Sequence, residues 1–565
     1  MKLSTIEIKV IVGMLSFITI LQVSSIVSST TLANKSTYSI AYGDWGIPTP
    51  FHHHRGPSYV LTSFIWDTLV WKDQKGYVPL LAKSWKVEDN GLKWIFKLRE
   101  GVKWHDGYSF TADDVRFTFE YLKKYPYPWG SSEIIDYVDR VEVIDNYTIA
   151  VYLKKLYADF LDHLIVQLEI IPKHVWENIT DPLKYTEPKA FVGTGPFRLK
   201  DYKKGAYYVL EANDKYFLGK PVVDKLMLKS VNNPAIALRT GDVDAASFFG
   251  KGIDVVKTLT NITGLEVVEG PSYWVLKLIF NTRKYPLSDK NVRRALAYAI
   301  NREEIVEKVL HGGGIPASLG IIHPDSKWYN PNLPILSYNV SEAKRILDSL
   351  GFIDRDGDGI RETPNGTKLS FELLCVKRYE REAELVKVQL SRIGIDLLVK
   401  VVEWKVADSL LDKGEFDIAI SGHGGILRPW TPVDWPAHTY VNEHLDSLLK
   451  LFYSTLNESE RLKYGYRIQR IIAEDLPVLT LYHPKTYVVY NSKKPVRWFW
   501  TWNGIGGGVP MWWNKLALIK AIAQAPTKPT GEEYKPLTMI YIGIAVAVIV
   551  VAVGALLIYL RLRRS

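Results

Sequence analysis

Between Phe352 and Pro364 the chain reads FIDRDGDGIRETP. Asp354, Asp356 and Asp358 stand at alternate positions, as oxygen donors do at positions 1, 3 and 5 of a twelve-residue calcium loop. Gly359 takes the sharp turn at position 6, and the Ile360 carbonyl falls at position 7. Position 12 is Asn365 instead of a bidentate Glu, and Glu362 at position 9 supplies the missing carboxylate. Carboxylates this close repel each other unless a cation neutralises them, so one structural calcium ion is expected; an Asp/Gly-rich turn without an ion is the alternative. His52-His53-His54 also offers metal-binding imidazoles. Adjacent side chains cannot all converge on one ion, however, and a solvated or cleft-lining loop is the plainer assignment. Signatures of turnover are missing: there is no G-x-S-x-G, H-E-x-x-H or G-x-x-x-x-G-K-[ST]. No hydrolase elbow, zincin helix or phosphate loop therefore declares itself, and the chain reads as a non-enzyme.

The elements that would position such residues are best signalled from Leu80 to Lys124. Trp85 and Val87 alternate with polar residues, Asp89-Asn90-Gly91 turns the chain, and Leu92, Trp94, Phe96 and Leu98 alternate again. Asn-Gly between two period-two runs predicts a hairpin, because both residues tolerate positive φ. A helix follows: Thr111 as N-cap with Asp114 at N3 forms a capping box, and Phe110 with Val115 has the spacing of a hydrophobic staple. Val115, Phe119 and Leu122 then give an apolar stripe. Further on, Val141 to Leu153 has a second hairpin pattern. Leu369–Val376, Ile395–Val402 and Phe416–Ser421 read as strands alternating with helices at Glu380–Ile393 and Lys405–Leu411. That alternation predicts βαβ units on a largely parallel sheet.

The motifs resemble a known family. A-x-S-W, a hairpin, W-x-F-K-L-R-x-G-V-K-W-H-D-G and T-A-D-D-V are similar to the signature of family-5 extracytoplasmic solute-binding proteins. These are the peptide, nickel and oligosaccharide receptors of ABC importers. Gly193-Thr-Gly-Pro-Phe-Arg-Leu, Asn213-Asp-Lys-Tyr-Phe, Gly241-Asp-Val-Asp and Asn291-Val-Arg-Arg-Ala-Leu-Ala-Tyr-Ala-Ile-Asn-Arg follow in the family's order. The resemblance spans about Ser39 to Trp513. It implies a bilobal α/β, periplasmic-binding-protein-like fold of type II (cluster C) with an extra inserted subdomain. Lobe I would be built from 39–57, 193–270 and 487–522, the inserted subdomain from 58–192 and lobe II from 271–486.

In that family the solute lies between the lobes, which implies ligand contacts from Trp45, Tyr273, Trp274, Trp404, His423, Gly424, Trp430 and Asp434. An Asp in the last segment typically holds a peptide's α-ammonium, and Asp434 is the acidic residue available there, without the usual Gly-Asp and Asp-Pro context. An oligopeptide is the expected solute. An oligosaccharide is the alternative, since the aromatics and small residues around His423 suit a sugar face. The permease and ATPase would be other chains.

Composition and termini are consistent with an extracellular body. The 565 residues exceed one core, and 47% hydrophobic with 23% charged residues reads as globular. Of the net charge of +10, the termini account for +4, and the mildly basic remainder gives no ground for nucleic-acid binding. One cysteine, Cys375, excludes an internal disulfide framework and reads as a buried thiol. Lys2 and Lys9 before the apolar run Val10–Val27 predict an export signal over 1–28. Residues 523–536 form a Pro- and charge-rich stalk. Ile540–Leu560 is an uncharged apolar stretch long enough for a membrane-spanning helix, within a segment taken as 537–560. Arg561, Arg563 and Arg564 then place residues 561–565 in the cytoplasm and the body outside. Seven glycosylation sequons, at Asn34, Asn146, Asn178, Asn261, Asn339, Asn365 and Asn457, accord with that topology. The 18 Trp and 33 Tyr cluster at Trp498–Trp502 and Trp512-Trp513, as core residues with some stacking platforms among them.

Overall fold

In the computed structural model, which describes residues 36–52, 56–128, 135–424, 439–505 and 512–519, the predicted turn takes Asp89, Asn90 and Gly91 through three consecutive positive φ angles of 50°, 52° and 93°. Register runs Glu88 opposite Lys93, so the loop has four residues and draws the half-exposed Leu92 out of the predicted strand. The strands in chain order are β1 (Thr37–Ala41), β2 (Val70–Lys72), β3 (Tyr77–Pro79), β4 (Ala82–Glu88), β5 (Lys93–Leu98), β6 (Val138–Asp145), β7 (Thr148–Leu153), β8 (Phe197–Lys203) and β9 (Tyr207–Ala212). There follow β10 (Lys225–Lys229), β11 (Ala245–Phe249), β12 (Leu265–Pro271), β13 (Val275–Phe280), β14 (Gly314–Pro316), β15 (Ser370–Val376), β16 (Asp396–Val402), β17 (Ile418–His423) and β18 (Val478–Asn491). Strands β4-β5-β7-β6 make an antiparallel sheet. The helix Ala112–Lys124 carries the predicted capping box, Thr111 N donating to the Asp114 carboxylate at 2.9 Å, and buries Val115, Phe119 and Leu122.

The large sheet has the order β16-β15-β17-β13-β18-β11-β1-β10-β9-β8, with β12 and β14 also paired to β18. Parallel pairing, predicted for the second half, holds for β15 with β16 and with β17. It does not extend further: β13 runs antiparallel to both β17 and β18. The reason is that the chain reaches β13 directly from β12 and reaches β18 from the helix Glu458–Asp475, entering in the opposite sense. On one face of this half-sheet, Leu276, Leu278, Leu373, Cys375 and Ile420 pack against the helix Glu380–Ser391 through Ala383, Val386 and Leu390. On the other, Val275, Ile279, Leu374 and Ala419 pack beneath the helices Glu443–Tyr453 and Glu458–Asp475. The period-two exchange of faces follows from the pleat. Burial pushes the Cys375 thiol up to about 11, as suits an inert core residue.

A separate core joins residues from Tyr38 to Leu228 with residues from Val488 to Leu518. Its polar centre is Asp67, which accepts from Lys515 Nζ at 2.5 Å, Tyr216 Oη at 3.1 Å and Thr194 Oγ1 at 3.1 Å. Lys515 and Asp67 are both fully buried, so the pair needs the further bond from Lys515 Nζ to the Trp66 carbonyl at 3.0 Å. Asn514 ties the same segment down, accepting from Trp71 Nε1 at 3.0 Å and donating to the Lys72 carbonyl at 2.8 Å. Among the described residues no helix is long and apolar enough to cross a membrane. The signal, stalk and anchor segments lie outside the described residues, as do Trp430 and Asp434.

Candidate ligand-binding cleft

Two segments cross side by side between the two halves of the sheet. β18 is continuous, pairing with β13 from Val478 to Tyr482 and with β12 from Lys485 to Asn491. Its partner is broken: β12 ends at Pro271, β13 begins at Val275, and Ser272–Trp274 make the second crossing. Tyr273 lies in the left-handed region at φ 52°, a conformation that an aromatic residue adopts only when its surroundings hold it there. The Ser272 hydroxyl donates to the Pro484 carbonyl, Trp274 N donates to Ser272 Oγ at 3.2 Å, and His483 Nδ1 donates to the Trp274 carbonyl at 2.9 Å. That last bond requires a proton on Nδ1.

The crossing fans aromatic rings to both sides. Tyr273, fully buried, lies 5.8 Å from Trp500 and 5.4 Å from His323, which in turn lies 4.8 Å from His483. Burial pushes the His323 imidazole down to about 4; burial, then the neighbouring His323, push His483 down to about 3. On the other side, Trp274 meets Phe249 edge-on at 6.3 Å, and Tyr379 meets Trp404 edge-on at 6.0 Å. The glycines at the end of β17 are explained here. A Cβ at Gly422 would fall 2.5 Å from Tyr379 Oη, and one at Gly424 would fall 2.8 Å from Trp274 Nε1. His423 between them faces the other way, paired with Val275; burial, then the charge of Lys277, push its imidazole down to about 3.

Of the residues named from sequence, the structure thus brings Trp274, Trp404 and Gly424 to one side of the crossing, whereas Tyr273 lies on its other side and His423 faces away from its two glycine neighbours. Trp45 belongs to a different set of contacts. Its N–H donates to Tyr208 Oη at 2.9 Å, beside an Asp44 carboxylate that accepts from Tyr208, Tyr202, Gly46 and Gly205. Burial raises the Asp44 carboxyl, but those hydrogen bonds outweigh it and hold the group below its ordinary value.

A cleft of about 230 Å³ lies next to this crossing, lined by Tyr77, Trp94, Trp328, Arg461, Trp502 and Asn503 among others. Its walls carry two ion pairs. Arg461 Nη2 donates to Asp159 Oδ1 at 2.7 Å, both side chains nearly buried, and the guanidinium lies over Trp328 at 4.7 Å and Phe452 at 4.4 Å. Lys72 pairs with Asp162 and lies 5.3 Å from both the Tyr77 and Trp502 rings. Ala158 N donates to the Tyr453 carbonyl at 2.8 Å, and Tyr157 stacks on Tyr453 at 5.6 Å. The segment after β7 is therefore docked on the two helices of the second half. Sequence reasoning flagged the Trp498–Trp502 cluster, which divides: Trp498 is core, bonded to Tyr38 Oη at 3.0 Å, while Trp500 and Trp502 reach the crossing and the cleft. Trp94, Trp328 and Arg461 were not singled out for the cleft, because only tertiary docking brings them to one wall.

The acidic loop is a compact donor set. Ligand oxygens of Asp354, Asp356, Asp358 and Glu362 lie within 4.8 Å of one another, the three Asp exposed and Glu362 buried. Asp354 accepts from Gly357 N at 2.7 Å and Gly359 N at 2.9 Å, Asp358 from Ile360 N at 2.8 Å, and Glu362 from Arg355 N at 2.8 Å. Lys368 Nζ meets Asp356 at 2.9 Å and also pairs with Asp358, whose carboxyl it holds below the ordinary range. Lys368 is thus within ion-pairing distance of two of these carboxylates.

Comparison with known proteins adds four findings. Residues 76–442 match the family model for bacterial extracellular solute-binding proteins, family 5 middle. The chain is 31% identical to the oligopeptide-binding protein AppA of Bacillus subtilis (strain 168) over 484 residues, covering 80% of this chain and 87% of that protein. It is 26% identical to the dipeptide-binding protein of Escherichia coli (strain K12) over 443 residues, 72% of this chain and 78% of that one. The solved structure of Bacillus subtilis AppA in complex with a nonapeptide superposes with a TM-score of 0.68 at 29% identity, over 81% of this chain and 95% of AppA.

Proposed function

The chain belongs to the family-5 bacterial extracellular solute-binding proteins, and from that premise we propose that it is the receptor of an ABC importer, capturing an oligopeptide between two lobes and delivering it to a membrane permease. The observation that carries the proposal is the pair of crossings at Ser272–Trp274 and His483–Pro484, with aromatic rings on both sides, in a chain similar over 80% of its length to an oligopeptide receptor. Two segments crossing side by side in opposite directions allow the halves to swing with few backbone changes, and a solute bound between them favours the closed arrangement by its differential contacts. Lobe I is taken as 39–57, 193–270 and 487–522, the inserted subdomain as 58–192 and lobe II as 271–486. Trp274, Trp404, His423, Gly424 and the Asp434 segment are the proposed contacts to the solute.

One observation favours an oligosaccharide instead. Tyr77, Trp94, Trp328 and Trp502 give the cleft wall four aromatic rings, which suit apolar sugar faces. Intrinsic tryptophan fluorescence titrated with a peptide pool and with α- and β-linked oligosaccharides separates the two. Peptide-induced quenching with no sugar response supports the first reading, and the converse overturns it.

The body lies outside the cell in this proposal, exported by residues 1–28 and held by 537–560, with glycosylation available at its sequons. Two of these, Asn339 and Asn457, have a second reason to be asparagine, because each caps a helix by accepting from Glu342 N or Glu460 N. Calcium would be held by Asp354, Asp356, Asp358, the Ile360 carbonyl and Glu362. The donor set fits a hard cation, since all its atoms are oxygens. The ion would replace Lys368 and stabilise the loop against carboxylate repulsion, with no part in solute binding.

A further inference from the structure

On β13, Lys277 shares a face with Val275 and Ile279, both of which belong to the core beneath the helices Glu443–Tyr453 and Glu458–Asp475. Sheet pairing sets it opposite Ser421 on β17 and Thr480 on β18. It is fully buried, and its Nζ has no hydrogen-bond partner among the described residues. Among the described residues the other two fully buried lysines are matched, Lys515 by Asp67 and Lys72 by Asp162. Burial drives the Lys277 amine down to about 7, and its charge also bears on His423. A methionine would fill the space with no such penalty, so the amine is kept at a cost to the fold.

Position relates the amine to the crossing. Val275–His423 is the last pair of the β13–β17 ladder before the crossing. Lys277 stands two residues further in, about 6–7 Å along the strand, a span that its four-carbon stem can cover. A second orphan lies alongside. The Thr480 hydroxyl, cross-strand from Lys277, donates to the Ser318 carbonyl, and Ser318 Oγ is buried with no partner among the described residues. Two donor groups next to one threonine thus lack an acceptor.

We propose that Lys277 is an anion receptor at the inner end of the interlobe site, taking a carboxylate of the bound solute. The carboxylate is either the terminus or an acidic side chain of a peptide; this assignment deepens the peptide-receptor reading and depends on it for the source of the group. Ion pairing in a dry site holds the amine protonated, so binding above neutral pH takes up a proton.

The test uses the full-length chain and Lys277→Met, which fills the same space and lacks the charge. Calorimetric titration with two hexapeptide pools, one with free C-termini and one amidated, each with and without Asp and Glu, reads the preference. Wild type is expected to bind the carboxylate-bearing pools at least about tenfold tighter, with heat that depends on the ionisation enthalpy of the buffer at pH 8. Lys277→Met is expected to bind all four pools alike. Which feature carries the wild-type preference, free terminus or acidic side chain, identifies the source. A preference that persists in Lys277→Met overturns the assignment. Glutarate supplies an arm without peptide: it should raise the melting temperature of wild type and not that of Lys277→Met. Equal response of the two to glutarate overturns the anion site, whereas a glutarate response with no binding of any pool overturns the peptide reading alone.

Discussion

Breaking the Arg461–Asp159 pair from one side should weaken solute binding through the closing equilibrium and not through contact with solute. The pair joins the segment after β7 to the helix Glu458–Asp475, and both side chains are only 9% exposed. Arg461 is also held by its Nε bond to the Phe452 carbonyl at 3.0 Å and by the Trp328 and Phe452 rings. Arg461→Met leaves Asp159 in a desolvated wall without this partner, and a buried pair broken in this way costs about 3–5 kcal/mol. In an open form Asp159 regains water, so most of that cost falls on the closed form. At about 1.4 kcal/mol per tenfold, even ~3 kcal/mol shifts closing by ~100-fold and raises the apparent Kd by a similar factor. The double variant Asp159→Ala, Arg461→Met leaves no uncompensated charge and should recover part of the loss, which a double-mutant cycle measures. The assay is fluorescence titration beside thermal denaturation of the unliganded protein. A lowered melting temperature with unchanged affinity in both single variants would refute the reasoning, because the pair would then stabilise the fold without biasing closure.

Four further outcomes are expected. Chelation should lower the melting temperature of wild type and leave Asp356→Ala unchanged; identical wild-type curves with and without chelator count against a calcium ion. His483 and His323 have folded-state values near 3 and 4, below the ordinary ~6.5, so the unfolded chain takes protons first. Their contribution is intact above about pH 6.5 and is lost as pH falls toward 4, and His483→Gln should flatten the melting profile between pH 6.5 and 5. Gly424→Val places carbon against the Trp274 indole, where the Cβ alone would lie 2.8 Å from Nε1. Solute affinity should fall at least about tenfold with a smaller change in stability, and unchanged titration curves would separate this glycine from the site. Protease applied to intact cells should release the body by cutting within 523–536; protection of the body would overturn the topology.

Local signals in the sequence were sufficient where the physics is local. Thr111 and Asp114 bond each other across one turn, so their spacing alone predicted the cap, and the Leu-rich run Leu369–Val376 marked a strand. Leu92 misled because a hydrophobic residue in register with Trp94 looks like strand, whereas the left-handed run before it requires a fourth loop residue. Trp274 and Gly424 were reached through resemblance, and their contact explains why a glycine stands there. Arg461 resembles any basic residue on an amphipathic helix, and its partner is 302 positions away. Lys277 sits in a run of apolar strand residues, where one lysine reads as an edge or solvent-facing position. Only the register, with strands on both sides and helices above, makes it interior.

The bond between Lys515 and Asp67 spans 448 residues of chain. During synthesis at about 5–20 residues per second, Asp67 emerges roughly 20–90 s before its cation does. Throughout that interval the first core lacks Asn514 and Lys515, and a bare carboxylate in its middle keeps water there. The core between Leu276 and Tyr482, by contrast, lies in one uninterrupted stretch and can consolidate while the chain is still growing. The order of assembly therefore runs against the order of synthesis: the portion made first is sealed last. A chain that ends before residue 514 keeps most of its apolar residues yet has no means of closing the core around Asp67, and it would be expected to persist as a partly collapsed species open to proteolysis.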